Sequence, residues 1–86
     1  MNDIPLSGMD VLPEYSQVEV VELLHAPEHY DGWKVNKRPP AVGDRGVVVE
    51  RLSEDDYIVE CPAPDGSNIW LGDFKRRELR PVGDAG

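Results

Sequence analysis

Short apolar segments alternate with clusters of turn residues in the second half of the chain. Valines 47–49 lead into one predicted strand, and Tyr57–Cys61 and Asn68–Leu71 supply two more. These segments are rich in β-branched and aromatic residues, which favour strands. Polar residues 53–56 separate the first two strands, and Asp65-Gly66 supplies the positive-φ residue of a tight turn before the third. This half therefore predicts consecutive antiparallel strands joined by short turns.

The amino-terminal half contains one ambiguous segment. Residues 14–25 carry apolar side chains at three-residue spacing after a proline, which fits a helix, but their valines are β-branched and fit a strand better. We expect a strand near Gln17–Leu24. The alternation breaks between Val20 and Val21, which predicts a bulge there.

The remaining segments set the order of the elements. Residues 26–43 are interrupted by prolines and glycines and predict one long loop. Residues 74–77 predict a single 3₁₀ turn, and Glu78–Val82 a last short strand in which Pro81 marks a sheet edge. This order predicts an all-β fold, a small SH3-like five-stranded barrel with a long first loop and one 3₁₀ turn before the last strand. The barrel is expected over residues 17–82, after a flexible N-terminal arm (1–16) and before a C-terminal tail (83–86).

The same segments carry a resemblance to known proteins. Val42–Glu50, Tyr57–Glu60, Asp65-Gly66, Trp70-Leu71 and Glu78–Val82 resemble an uncharacterised bacterial family of small SH3-like β-barrel proteins. They are more distantly similar to the KOW module of ribosomal and transcription factors and to photosystem I reaction-centre subunit IV. The resemblance implies the barrel and no catalytic residue. Its motifs specify a fold and leave the ligand open.

Charge and cysteine content narrow the class of partner. The chain of 86 residues has a formal net charge of −8 and a sequence pI of about 4.5, which argues against nucleic acid as the main ligand. A single cysteine, the lack of a long apolar run and the absence of signal-peptide features in residues 1–16 predict a cytoplasmic protein without a membrane partner. The charge falls in blocks, with −7 over residues 1–31, +3 over 32–51, −6 over 52–74 and +2 over 75–86.

Residue types that often carry chemistry are present but poorly arranged for it. His25 and His29 are four residues apart, yet a proline lies between them and no third ligand is evident, so no metal site is expected. Cys61 shares a predicted strand face with Tyr57, which is typical of a small buried thiol. The acidic run 54–56 fits a hydrated turn. No cofactor and no enzymatic activity are predicted, because so small a barrel rarely encloses a pocket.

Aromatic residues and a basic cluster supply the candidate binding surface. In the predicted arrangement the long loop, the turn before Tyr57 and the 3₁₀ turn gather on one side, and their rings can line a groove for a proline-rich or extended peptide. The alternative is that these rings complete a thin core. The basic run that begins at Lys75 can contact an acidic partner or balance nearby acids. The candidate partner-binding residues are Tyr30, Trp33, Tyr57, Trp70, Phe74, Arg76 and Arg77.

The favoured hypothesis is a non-enzymatic protein-interaction module, monomeric by default, that binds a peptide or a basic protein face. An exposed Trp33 would favour it. Two alternatives remain open at this point. The small size and acidity also fit an immunity- or antitoxin-type inhibitor of a basic toxin, and the positive blocks fit a KOW-like nucleic-acid-binding module.

Overall fold

One antiparallel sheet organises the part of the chain that the computed structural model describes, residues 11–82. The predicted all-β class is confirmed over this range, in which no α-helix occurs. Residues 1–10 and 83–86, which belong to the predicted arm and tail, lie outside it. The five strands are β1 (Gln17–Val20), β2 (Arg45–Arg51), β3 (Asp56–Pro62), β4 (Asn68–Lys75) and β5 (Leu79–Pro81).

The strands lie in the order β4-β3-β2-β1-β5, so the last strand returns to pair with the first. Within residues 11–82 the hydrogen-bonded sheet is open, whereas the sequence predicted a closed barrel. β4 and β5 form its two edges and do not pair. β5 has few backbone groups left to pair with β4. The N–H of Leu79 donates to the carbonyl of Arg76, and the carbonyl of Leu79 accepts a bond from the Arg76 guanidinium. Pro81 has no N–H to donate.

Element boundaries differ from the prediction at three places. β1 is a strand but ends at Val20, and the irregularity in pairing falls in β2 between Val48 and Glu50, where the run of valines breaks the alternation. The predicted bulge after Val20 is therefore wrong. β4 extends to Lys75, so the 3₁₀ turn begins two residues later than expected. Between residues 11 and 82 there are two 3₁₀ turns, Pro27–Tyr30, inside the predicted loop, and Arg76–Glu78.

The core lies on one face of the sheet. Alternate residues of β3 point into it, including Tyr57 and Cys61, which confirms that Cys61 shares the face of Tyr57 and is buried. Trp70, Tyr57 and Phe74 are the largest fully buried apolar side chains. The buried apolar residues are Leu12, Val18, Val20, Tyr30, Val48, Tyr57, Val59, Cys61, Trp70, Phe74 and Leu79.

Two glycines allow close approach of other segments to the sheet. A Cβ at Gly46 would lie 2.5 Å from the carbonyl oxygen of Glu60, so β2 approaches β3 too closely there for a side chain. A Cβ at Gly72 would lie 3.1 Å from the carbonyl oxygen of Tyr30. The second contact fixes where the long loop crosses β4.

Residues 11–16, assigned to the N-terminal arm, lie against the sheet. Leu12 is buried, and its N–H donates to the Tyr57 hydroxyl at 3.2 Å. The N–H of Tyr15 donates to the carbonyl of Val48 at 2.6 Å, which continues the pairing of β1 with β2. Tyr15 itself has a positive φ of 69° and an exposed ring.

Candidate functional site

The segment between β1 and β2, residues 21–44 and here named the first loop, is attached to the rest of the molecule by a buried carboxylate. Glu78 is fully buried at the end of the second 3₁₀ turn. It accepts hydrogen bonds from the N–H of Leu24 at 2.9 Å, the N–H of Lys75 at 2.7 Å and the hydroxyl of Tyr30. These donors satisfy a charge that burial would otherwise make costly. Glu78 thereby joins the first loop to the β4–β5 connection.

Tyr30 is the partner of Glu78 in the first loop. Its hydroxyl also accepts the N–H of His25 at 3.1 Å, and its ring stacks on Phe74 with centroids 4.9 Å apart. Burial, and then the hydrogen bond to Glu78, raise the pKa of Tyr30 to about 12. The hydroxyl is therefore a stable proton donor at physiological pH, and the ring belongs to the core.

Asp31 organises the exposed tip of the first loop. Its Oδ1 accepts the N–H of Val35 at 2.9 Å and of Asn36 at 3.2 Å, and its carbonyl accepts the N–H of Lys34 at 3.2 Å. Lys34 takes a left-handed conformation, with φ of 60°. An aspartate that bonds successive backbone N–H groups in this way holds a turn in one conformation. We name residues 31–36 the Asp31 turn.

The Asp31 turn is tied to the edge of the sheet. Asn36 Oδ1 accepts the N–H of Leu71 at 2.9 Å, and the N–H of Lys37 donates to the carbonyl of Ile69 at 2.8 Å. These bonds occupy outward-facing backbone groups of β4. The loop thus covers part of an edge that would otherwise offer free donors and acceptors.

Asp44 fastens the carboxyl-terminal end of the first loop. Its carboxylate accepts two bonds from the Arg38 guanidinium, at 2.8 and 3.1 Å, and one from the Trp70 indole N–H at 2.9 Å. It also accepts the N–H of Ala41 at 2.9 Å. Burial alone would raise the pKa of Asp44, but the bonds from Arg38, Trp70 and Ala41 outweigh it and lower that pKa. The carboxylate is therefore ionised at physiological pH.

The Asp31 turn presents apolar side chains to solvent. Trp33 is 47% exposed and Val35 is 55% exposed. A cleft of about 240 Å³ adjoins the turn and shares Asp31 and Asn36 with it. The cleft is lined by Pro27, Glu28, Asp31, Asn36, Lys37, Arg38 and Pro39. An exposed tryptophan in a hydrogen-bonded turn that shares two residues with a cleft is a candidate arrangement for binding.

The structure separates the predicted partner-binding residues into two groups. Four aromatic rings, those of Tyr30, Tyr57, Trp70 and Phe74, lie in the core and line no surface groove. The physical reason is size, because a thin core needs large rings to fill it. Phe74 packs against two of the other rings. Its centroid lies 5.3 Å from that of Trp70 and 4.9 Å from that of Tyr30. Trp33 is exposed and apart from this group.

The predicted basic cluster is distributed over ion pairs. Arg76 is buried, and its Nη1 donates to the carbonyl of Leu79 at 2.8 Å. Arg77 is exposed and lies 3.3 Å from Glu22. The neighbouring bases also meet acids, Lys75 with Asp56 at 2.7 Å and Arg80 with Glu19. These residues therefore do not form an uncompensated basic surface.

Sequence reasoning missed the polar residues that position the loop. Asp31, Asn36, Asp44 and Glu78 were not singled out. One local signal existed, since Asp31-Gly32 is a turn pair. Each of the other three also bonds a residue at least 26 positions away, Trp70 for Asp44, Leu71 for Asn36 and Leu24 for Glu78, and no local pattern marks those bonds.

Several further observations bound the site. Within residues 11–82, no group of three or more histidine, cysteine, aspartate or glutamate side chains is arranged to hold a metal ion. Over the same range, no helix has the length and apolar character needed to cross a membrane. Comparison with protein-family models, curated proteins and solved structures finds no match to this chain.

Proposed function

We propose that this protein is a non-enzymatic protein-interaction module that binds its partner through the Asp31 turn, with Trp33 as the anchor. The exposed tryptophan in a hydrogen-bonded turn is the observation that carries this proposal. Tryptophan is among the residues that contribute most to protein interfaces. A turn already held in one conformation loses little entropy on binding.

The fold proposed with this function is an SH3-like arrangement of five strands, with the sheet open between β4 and β5, related to the small bacterial proteins that the sequence resembles. Its support is the strand order β4-β3-β2-β1-β5 together with a long first loop and a 3₁₀ turn before β5. In such a fold the first loop is a common place for partner contacts, because a rigid sheet fixes the position of the loops that connect its strands.

A protein partner fits the charge better than a nucleic acid does. The chain carries a net charge of −8, and Arg38, Lys75, Arg77 and Arg80 each pair with an acid. A cytoplasmic location belongs to the same proposal. It is supported by the lone Cys61, a free buried thiol whose pKa is raised by burial and which a reducing compartment keeps free.

Affinity capture tests the proposed function. Tagged protein is incubated with a lysate of the cells that encode it, with and without nuclease, and retained proteins are identified by mass spectrometry. The variant is Trp33→Ala, and the matched control is Leu52→Ala, because Leu52 is similarly exposed, at 49%, in the β2–β3 turn. Both side chains are exposed, so both variants are expected to fold.

We expect a nuclease-resistant protein whose retention falls by about tenfold or more in Trp33→Ala and is unchanged in Leu52→Ala. Equal retention by the two variants would refute the role of Trp33. Retained material that nuclease releases would replace the proposal with nucleic-acid binding.

A further inference from the structure

The cleft that adjoins the Asp31 turn is lined by charged side chains of both signs. Glu28 lies in the first 3₁₀ turn and Asp31 directly follows that turn, whereas Lys37 and Arg38 follow the Asp31 turn. Pro27 and Pro39 supply its apolar surface. The charge that the cleft offers a ligand depends on which of these groups already have partners.

The two cations are directed to groups outside the cleft. Arg38 is held by both oxygens of Asp44, which raises the pKa of its guanidinium. The Nζ of Lys37 donates to Ser67 Oγ at 2.6 Å, and that hydroxyl bonds in turn to Asp65 at 2.6 Å. Each cation therefore has an acid close by to balance it.

The two acids keep oxygens available. The carboxylate of Glu28 makes no hydrogen bond or ion pair with any residue in 11–82, and its side chain is exposed. Asp31 uses Oδ1 for the Asp31 turn, while its Oδ2 accepts nothing from the described residues. The uncompensated charge of the cleft is thus negative, and one of the two acids, Asp31, belongs to the same turn as the exposed Trp33.

From this charge distribution we infer that the cleft receives an arginine or lysine side chain of the partner, between Glu28 and Asp31, while an adjacent apolar residue of the partner packs on Trp33. The inference rests on the proposed function and adds the chemical class of the partner. A cation in the cleft gains charge-assisted hydrogen bonds to the carboxylates. Lys34 also lies at the tip but outside the cleft lining, so an acidic partner would have to use Lys34 instead.

A short peptide tests the inference without the natural partner. The probe is a capped arginine-leucine-arginine peptide, and its controls replace arginine by neutral citrulline or by glutamate. Binding is followed by the NMR signals of the indole N–H groups, of which the chain has two. Trp33 is exposed and reports on the site, whereas Trp70 is buried and bonded to Asp44, so its signal serves as an internal control.

We expect the arginine peptide to shift the Trp33 signal alone and to bind at least about threefold more tightly than the citrulline peptide. Glu28→Gln and Asp31→Asn each weaken binding by about two- to fivefold, less so at high salt. Asp31→Asn keeps the Oδ1 acceptor and thus the turn. Glu54→Gln removes the same charge from the exposed β2–β3 turn and leaves binding unchanged, whereas Lys34→Gln does not weaken binding because it removes a like charge near the site.

The inference is overturned if the arginine and citrulline peptides bind equally, if the glutamate peptide binds better, or if the Trp33 signal does not move. These outcomes are separable from failure of the proposed function. If retention of a protein depends on Trp33 but the arginine peptide does not bind, only the basic character of the partner is refuted. Loss of Trp33-dependent retention removes the interaction site itself.

Discussion

At the scale of single residues, the carboxylate of Glu78 is enclosed by donors from two distant parts of the chain. Leu24 and Tyr30 come from the first loop, and Lys75 comes from the end of β4. In the sequence Glu78 follows three basic residues and resembles part of a solvated charged run. Its burial depends on partners about fifty positions away, so local pattern cannot reveal it.

Replacing Tyr30 with phenylalanine tests this connection. The ring still stacks on Phe74, but Glu78 and the N–H of His25 lose a partner. We expect the free energy of unfolding to fall by about 1–3 kcal/mol near neutral pH, because a buried polar group is left less satisfied. Urea denaturation of both proteins measures the difference.

The hydrogen bond between Tyr30 and Glu78 also predicts that stability depends on pH in the alkaline range. The folded pKa of Tyr30, about 12, is above the ordinary tyrosine value of 10.0, so the folded state retains a proton that the unfolded chain releases. The wild type therefore keeps this stability below about pH 10 and loses it as pH rises towards 12. Tyr30→Phe has no such loss, so the difference in the free energy of unfolding between the two proteins narrows as pH rises. A constant difference across this range would contradict the role given to Tyr30.

At the scale of elements, the first loop is held by the edge of β4. Asn36 bonds Leu71 through Oδ1 and the carbonyl of Tyr30 through Nδ2, at 2.9 and 3.4 Å. The side chain thus links the Asp31 turn both to the sheet and to the first 3₁₀ turn. Asn36 thus helps, together with Asp31, to hold the turn that carries Trp33.

Replacing Asn36 with alanine should free the Asp31 turn. We expect a loss of about 0.5–1.5 kcal/mol in stability and a fall in the backbone order parameters of residues 31–36 from about 0.85 towards 0.6 or below. ¹⁵N relaxation measures the second effect. Asn68→Ala is the matched control, because Asn68 lies on β4 but bonds Glu60 and not the loop. Unchanged order in Asn36→Ala would show that other contacts hold the turn.

Strands could be predicted where apolar and polar side chains alternate. For the first loop, the sequence predicted its position but not its conformation. The alternation of Tyr57 and Cys61 located β3 and its buried face correctly. β4 was predicted too short because Gly72 and Asp73 interrupt its apolar pattern, although pairing with β3 continues through both. The bond from Leu71 to Asn36 joins residues 35 positions apart, and nothing local encodes it. The exposure of Trp33, on which the site depends, follows from such contacts.

At the scale of the whole molecule, the charge blocks of the sequence combine in space. Arg77 and Arg80 belong to the basic carboxyl-terminal block, and they pair with Glu22 and Glu19 of the acidic amino-terminal block because β5 lies beside β1. Such exposed pairs add little stability. They do reduce the basic surface that a phosphate backbone would need, which favours a protein partner.

The most direct test of the central claim maps the contact of the captured partner on the described residues. The partner is added to ¹⁵N-labelled protein, and the backbone and indole signals are followed. We expect changes concentrated in the Asp31 turn, the cleft residues and the Trp33 indole, with the Trp70 indole unchanged. Changes confined to other surfaces, such as the β2–β3 turn, with the Trp33 indole unaffected, would contradict it.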